Sequence, residues 1–398
     1  GVGLVGSEMC IRDRSIIDTT QDLEAFCLAA TNYPYVTIDT EFMRDKTYYA
    51  KLCLIQIAYP EKGKDSFALI DPLSEKLSLK PFFDLLANEG VLKVLHSGRQ
   101  DLEIFFNKTG ILPKPIFDTQ IAAMVCGFGD QVAYETLVNQ IAEKKIDKSS
   151  RFTDWSKRPL SDKQINYALT DVTYLRTIYE KLKDEINNSN RLSWVKEEFD
   201  ILKNPKTYST DPDQSWKKIR LRRKDQDFVK IIKSISSFRE NEAQKRDLPR
   251  GHILKDEEII QIASQRPKKL QDLYSSRLPS KALKTGWIAK GIIECIERSK
   301  SLPDEPIEDY QYIPLSSSQL ALVELLKVLL KFNASCHNVA TKLIASSKDI
   351  EMIARHENPN VRALEGWRFK IFGEDALKLK NGEISLTFND NGLHLITV

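Results

Sequence analysis

The sequence predicts an α/β domain with a mixed sheet, followed by two small all-helical modules and a hairpin tail. Three observations carry this. Apolar, β-branched runs at 35–42, 49–59 and 66–70 are separated by turn residues, then alternate with helical patterns up to about residue 186. Beyond Asn187 the strand signals stop, and short segments of helical periodicity continue to Lys380. Two polar or proline-rich stretches, 204–213 and 301–314, punctuate them. At 398 residues the chain is also too long for one core. The expected units are 15–203, 211–299 and 315–383, with a tail at 384–398.

In order, Ile17–Ala30 reads as a helix with Leu23, Phe26, Cys27 and Ala30 on one face. The strands 35–42, 49–59 and 66–70 predict an antiparallel meander, closed by Asp71 and Pro72. A helix over 78–89, a buried strand over Val91–His96, a turn at Ser97 and Gly98, and a helix over Asp101–Asn107 follow. Asp118 and Thr119 cap the next helix, which runs to Gly127. Tyr134–Ile141 is a short helix, and a basic loop with Lys144, Lys145, Lys148 and Arg151 comes after it. Ser161 opens a long helix to about Ile186, with Gln164 completing a capping box. The first helical module comprises Phe228–Lys245, Asp256–Ser264, Lys268–Tyr274 and Ser280–Ser299. The second comprises Ser316–Phe332, Ala334–Ser346, Ser347–Arg355 and Ala363–Lys380, and Ile384–Val398 alternates as a hairpin about 389–392.

Composition bounds the rest. A 41% hydrophobic and 29% charged content with a net charge of +3 describes an ordinary globular protein without a strong overall field. Six cysteines without a Cys-x-x-Cys pair argue against zinc and for free thiols in a reducing compartment. The sequence has neither a run near the ~20 apolar residues of a membrane span nor a leader pattern, so a cytoplasmic protein is expected. Residues 1–14 resemble translated sequencing-adapter read-through and are set aside as a scar.

The chemistry centres on Asp39 and Glu41, which end the first long strand two residues apart and so share one face, while Ile38, Thr40 and Phe42 point the other way. Such a pair is by itself more often a solvated edge. Asp101, in the first turn of a helix that follows a strand, and Asp171, on the long helix four residues after Tyr167, lie where they can join it. Four oxygen donors without a His or Cys set favour Mg²⁺ or Mn²⁺, and two such ions about 3.5–4 Å apart suit in-line attack on a phosphodiester. Asp39 is the candidate to bridge both ions. With an ordinary pKa near 10, Tyr167 orients the water rather than deprotonating it. The basic stretch Lys217, Lys218, Arg220, Arg222, Arg223 and Lys224 reads either as a solvated helical face or as a phosphate-tracking surface.

Together, Asp39-Thr40-Glu41-Phe42, His96 to Glu103 and Tyr167-Ala168-Leu169-Thr170-Asp171 resemble the three exonuclease motifs of the DEDD superfamily, with the tyrosine of its DEDDy branch. Thr47-Tyr48-Tyr49, Leu54-Ile55-Gln56, Ile70 to Leu73, Phe117 to Gln120 and Thr153 to Leu160 are similar to the ribonuclease D family. The helical modules resemble HRDC domains, the second through Val339–Ala345 and Gly366-Trp367-Arg368. The likeness runs from about residue 16 to 385. It implies a ribonuclease H-like 3′–5′ exonuclease domain and a two-metal exoribonuclease. That enzyme would release nucleoside 5′-monophosphates and trim 3′ extensions of tRNA precursors and other small structured RNAs. It also implies metal-ligand roles for Asp39, Glu41, Asp101 and Asp171, and a water-orienting role for Tyr167. A monomer is expected, with RNA and no membrane as its partner. Thr40, Phe42 and His96 are expected near the terminal nucleotide, although His96 equally suits a buried strand-end histidine satisfied by backbone. Arg239, Lys245, Arg246 and Arg250 join the basic stretch as contacts to the RNA body. A DNA exonuclease of the same branch and a catalytically inactive RNA-binding protein are the rival readings.

Overall fold

The computed structural model describes residues 16–61, 66–221, 225–275, 286–304, 314–390 and 392–398. The scar expected at 1–14, Arg222, Arg223 and Lys224, and the start of the helix expected at Ser280 lie outside them. A six-stranded sheet has the order β1-β4-β3-β2-β5-β6, formed by β1 (Ile16–Ile17), β2 (Tyr35–Met43), β3 (Lys51–Ala58), β4 (Phe67–Ile70), β5 (Leu92–Leu95) and β6 (Ile116–Asp118). The meander β2-β3-β4 is antiparallel; β1, β5 and β6 pair in parallel. The sheet is therefore mixed, as the sequence predicts. β1 and β6 were not expected, since two or three residues are too few to show a period.

Helices α1 (Thr20–Ala30), α2 (Lys80–Ala87) and α3 (Arg99–Thr109) cover one face. Leu23, Phe82, Leu102 and Phe105 pack there against Val36, Ile38, Ile55 and Ile57. The first helix begins at Thr20 rather than Ile17 because Ile16 and Ile17 pair with β4, and Thr19 caps it. On the other face lie α4 (Thr119–Val125), α5 (Tyr134–Ala142), α6 (Asp162–Asn188) and α7 (Leu192–Leu202). Helix α6 opens with the predicted capping box at Ser161 and Gln164. The Thr37 hydroxyl donates to the Val172 carbonyl at 2.8 Å and pins α6 across β2. Helix α7 is not expected from the sequence, where this region shows only a change in composition.

The first helical module, α8 (Gln226–Arg246), α9 (Arg250–Ile253), α10 (Asp256–Gln265), α11 (Leu270–Ser275) and α12 (Gly286–Ser299), has its own core around Phe228, Ile232, Ile259 and Ile292. The second contains α13 (Ser317–Cys336), α14 (Thr341–Ile344), α15 (Ser347–Arg355), α16 (Gly366–Arg368) and α17 (Glu374–Asn381). Its Leu326, Leu343, Trp367 and Phe372 share one apolar cluster with Phe117, Val125, Leu182 and Phe199 of the α/β domain. Polar contacts reinforce that seam. Ala340 N–H donates to Met124 at 2.9 Å, and Arg191 donates to the carbonyls of Val125 and Asn338. Gly127 has φ +83°, and a Cβ there would meet the Asn338 side chain at 2.1 Å, so glycine is needed for the close approach. Strands β7 (Ile384–Asn389) and β8 (Gly392–Thr397) form the predicted hairpin. No helix among the described residues is long and apolar enough to cross a membrane.

Candidate active site

Strand β2 sets the site. Asp39 lies opposite Gln56 and Glu41 opposite Leu54 on β3, and the register slips between Glu41 and Phe42. Both acids face α6, and ligand atoms of Asp39, Glu41 and Asp171 fall within 4.8 Å of one another. Asp101 stands apart from this cluster. It rises from α3 on the opposite sheet face and lines the same cavity of about 500 Å³. The Thr40 hydroxyl, pointing to that other face, donates to Asp101 Oδ1. Tyr167 lines the cavity one helical turn from Asp171, its ring 6.1 Å from buried Trp155.

The helix carrying Asp101 is fixed by Asp118. Its carboxylate accepts from Ser97 and Gly98 N–H at 3.1 and 2.8 Å, and from Gln120 N–H at 2.8 Å. Asp118 is thus the cap that the sequence predicts, and it also holds the turn before α3. A Cβ at Gly98 would lie 2.6 Å from Leu95 Cβ, so the turn requires glycine. His96 borders the cavity, with Nδ1 3.0 Å from Thr119 Oγ1 and its ring 5.4 Å from Tyr134. Phe42 lines the cavity while packing partly on the sheet core.

Crowding raises the proton affinity of these acids. Burial is the leading cause throughout. It lifts Asp39 to about 6. Glu41 rises to about 9, with Asp39 and Asp101 adding repulsion. Asp101 and Asp171 are held well above the carboxylate range, the charge of Asp39 adding to burial in both. The Tyr167 phenol is pushed up by burial and by Asp171, so it stays protonated at neutral pH. Burial lowers His96 and favours its neutral ring. Asp171 Oδ2 is buried and has no hydrogen-bond partner among the described residues. Oxygen donors that repel one another, one of them unsatisfied, fit a hard divalent cation.

A family model for a 3′–5′ exonuclease matches residues 15–187, and one for the HRDC domain matches 229–285. Ribonuclease D of Jannaschia sp. (strain CCS1) is 48% identical over 383 residues, spanning 96% of this chain and 99% of that one. The chain belongs to the ribonuclease D family. Ribonuclease D of Granulibacter bethesdensis is 44% identical over 388 residues, 96% of each chain. The crystal structure of Escherichia coli RNase D, "an exoribonuclease involved in structured RNA processing", matches with a TM-score of 0.77 at 28% identity, over 93% of this chain and 99% of that one. The catalytic core of RRP6 from Trypanosoma brucei shares the fold, with a TM-score of 0.55 at 20% identity over 76% of this chain and 87% of that one. As a member of that family, the protein is a 3′–5′ exoribonuclease, and the α/β domain is its exonuclease domain.

Segments that resemble the ribonuclease D family have physical reasons here. The Arg158 guanidinium grips Asp71 with two bonds of 2.6 and 2.7 Å and donates to the Cys53 carbonyl at 2.6 Å, joining two of the quoted segments. Tyr48 donates to Glu240, and the Arg250 guanidinium lies 4.7 Å over its ring, docking the HRDC domain beside the active-site strand. Three of the basic residues expected on the RNA body are engaged within the protein. Arg239 is buried and donates to Asp256 at 2.6 Å, Arg250 grips Glu240, and Arg246 pairs with Glu242 while covering Trp287. Spacing alone does not reveal these partners. Lys217, Lys218 and Arg220 are exposed.

Proposed function

We propose that this exoribonuclease hydrolyses the 3′-terminal phosphodiester with two divalent ions, Mg²⁺ or Mn²⁺, releasing nucleoside 5′-monophosphates. Its substrates are tRNA precursors with 3′ extensions and other small structured RNAs. The observation that carries the reading is the cluster of Asp39, Glu41 and Asp171 within 4.8 Å, with Asp171 Oδ2 buried and unpartnered among the described residues. The cations, when bound, supply water activation and charge stabilisation of the departing oxygen. Asp39, Glu41 and Asp171 hold them from one face of the sheet. Asp101, steadied by Thr40, contributes from the other. The protonated Tyr167 hydroxyl orients the attacking water. Phe42 and His96 flank the terminal nucleotide, and Thr40 acts there through Asp101.

Exposed Lys217, Lys218 and Arg220, with Arg222, Arg223 and Lys224 beyond them in sequence, track the RNA body. Residues 315–383 serve as a second HRDC-like domain. The protein acts as a monomer, and a reducing cytoplasm suits the free Cys27, Cys53, Cys126, Cys295 and Cys336.

The test incubates the protein with a 3′-extended tRNA and Mg²⁺ or Mn²⁺ and identifies the released nucleotides. 5′-Monophosphates are expected, and Asp39→Asn and chelation should each abolish release. Release that survives both would reject the mechanism, and 3′-monophosphate products would reject the direction of bond cleavage.

A further inference from the structure

The loop joining α5 to α6 presents Phe152, 91% exposed and the most exposed of the large apolar side chains among the described residues. A lone exposed apolar residue is ordinary. This one is placed on the wall of the acidic cavity, beside Arg151 and Lys148. The Arg151 guanidinium lies 5.1 Å from the ring centroid, and Lys148 pairs with Glu135. The base of the loop is fixed. The Thr153 hydroxyl donates to the Ser150 carbonyl at 2.7 Å, Gln164 donates to Thr153 at 3.1 Å, and Trp155 is buried.

A cavity lined by five carboxylates offers a phosphodiester chain no attraction of its own, so cations beside it help to guide one in. Beside Arg151 stands a flat ring on a fixed base. Every base has a face that stacks on such a ring, and an adjacent guanidinium strengthens the contact. At about 500 Å³ the cavity is of a size for the terminal nucleotide, which leaves the next base at the rim. We propose that Phe152, with Arg151 against its ring and Lys148 on the same cavity wall, is a stacking platform for the unpaired base immediately 5′ of the 3′-terminal nucleotide. The inference rests on the proposed function, because it needs a 3′ end in the cavity. The platform tolerates any base identity but requires the base to be unpaired, since a paired base keeps its stacking partners within the duplex.

The test measures binding of a fluorescent single-stranded oligoribonucleotide in EDTA, with one abasic site moved along the last few positions. Phe152→Ala should bind about 5- to 150-fold more weakly, the factor expected for losing one stacked base. Phe152→Trp should restore affinity, and the melting temperature should not change because the ring is exposed. An abasic site at the penultimate position should weaken the unsubstituted protein and leave Phe152→Ala unaffected. With metal present, KM should rise more than kcat falls. Equal affinity of Phe152→Ala, or an abasic penalty of the same size in both proteins, overturns the platform. Binding is read without hydrolysis, so a protein that binds this RNA in EDTA but releases no nucleotide once Mg²⁺ or Mn²⁺ is supplied rejects the proposed function separately.

Discussion

The hydroxyl of Thr40 on β2 donates to the carboxylate of Asp101 on α3, tying the strand of Asp39 and Glu41 to an acid from the opposite sheet face. Asp101 is buried, so losing this donor leaves an acceptor short of a partner. Thr40→Val should reduce metal affinity or turnover by about 10- to 100-fold, as for other groups that orient a ligand. Thr40→Ser should retain most activity. Titration of Mn²⁺ against turnover checks both, and a silent Thr40→Val would show that Asp101 needs no such support.

Proton affinity at the site links stability to pH. Asp39 and Glu41 rise from 3.8 and 4.5 to about 6 and about 9 in the folded, metal-free protein. The folded state therefore keeps protons that the unfolded chain has lost, and stability falls as pH rises from about 4 through about 9. In EDTA the melting temperature should be lower at roughly pH 8 than at roughly pH 5, as far as these two groups govern it. Cations compete with those protons, so Mg²⁺ should raise the melting temperature more at the higher pH. A Mg²⁺ increment independent of pH would contradict the assignment.

Trp194 on α7 stacks on Trp367 of the second helical module, with centroids 4.3 Å apart and an interplanar angle of 8°. Trp367→Ala should cost about 3–5 kcal/mol of stability. A double-mutant cycle with Trp194→Ala should return about 0.5–1.5 kcal/mol of coupling. Because Phe117, Val125 and Phe199 belong to the same cluster, a chain ending before this module should melt far below the intact protein. Thermal denaturation of both chains decides the matter.

Tyr48 and Glu240 join the exonuclease domain to the HRDC domain. Glu240 is fully buried and also accepts from Arg250 at 2.5 Å, so the pair is a charged hydrogen-bond network rather than a surface contact. Tyr48→Phe should cost about 1–3 kcal/mol at this seam. Limited proteolysis within 204–225 should then accelerate while the exonuclease domain stays resistant. Unchanged cleavage at that segment would show that the seam is held by other contacts.

Local patterns made much of the site legible. The two-residue period places Asp39 and Glu41 on one face, and four-residue helical spacing sets Tyr167 beside Asp171. The capping residues Ser161 and Asp118 declare their helices. What stayed hidden depends on partners distant in sequence. β1 has no identity apart from β4, Arg239 reads as a surface cation until Asp256 and Leu254 are seen around it, and the separation of Asp101 from the acid cluster follows from which sheet face α3 covers. The basic loop was visible as charge, but nothing in its composition says that Phe152 faces a cavity.

The apolar cluster that joins Phe117 and Phe199 to Phe372 and Ala376 also bears on synthesis. A ribosome adds about 5–20 residues per second, so the latter side chains emerge on the order of ten seconds after Phe199. Until then the apolar side formed by Phe117, Val125 and Phe199 has no partner and stays open to water or to a chaperone while the intervening residues are made.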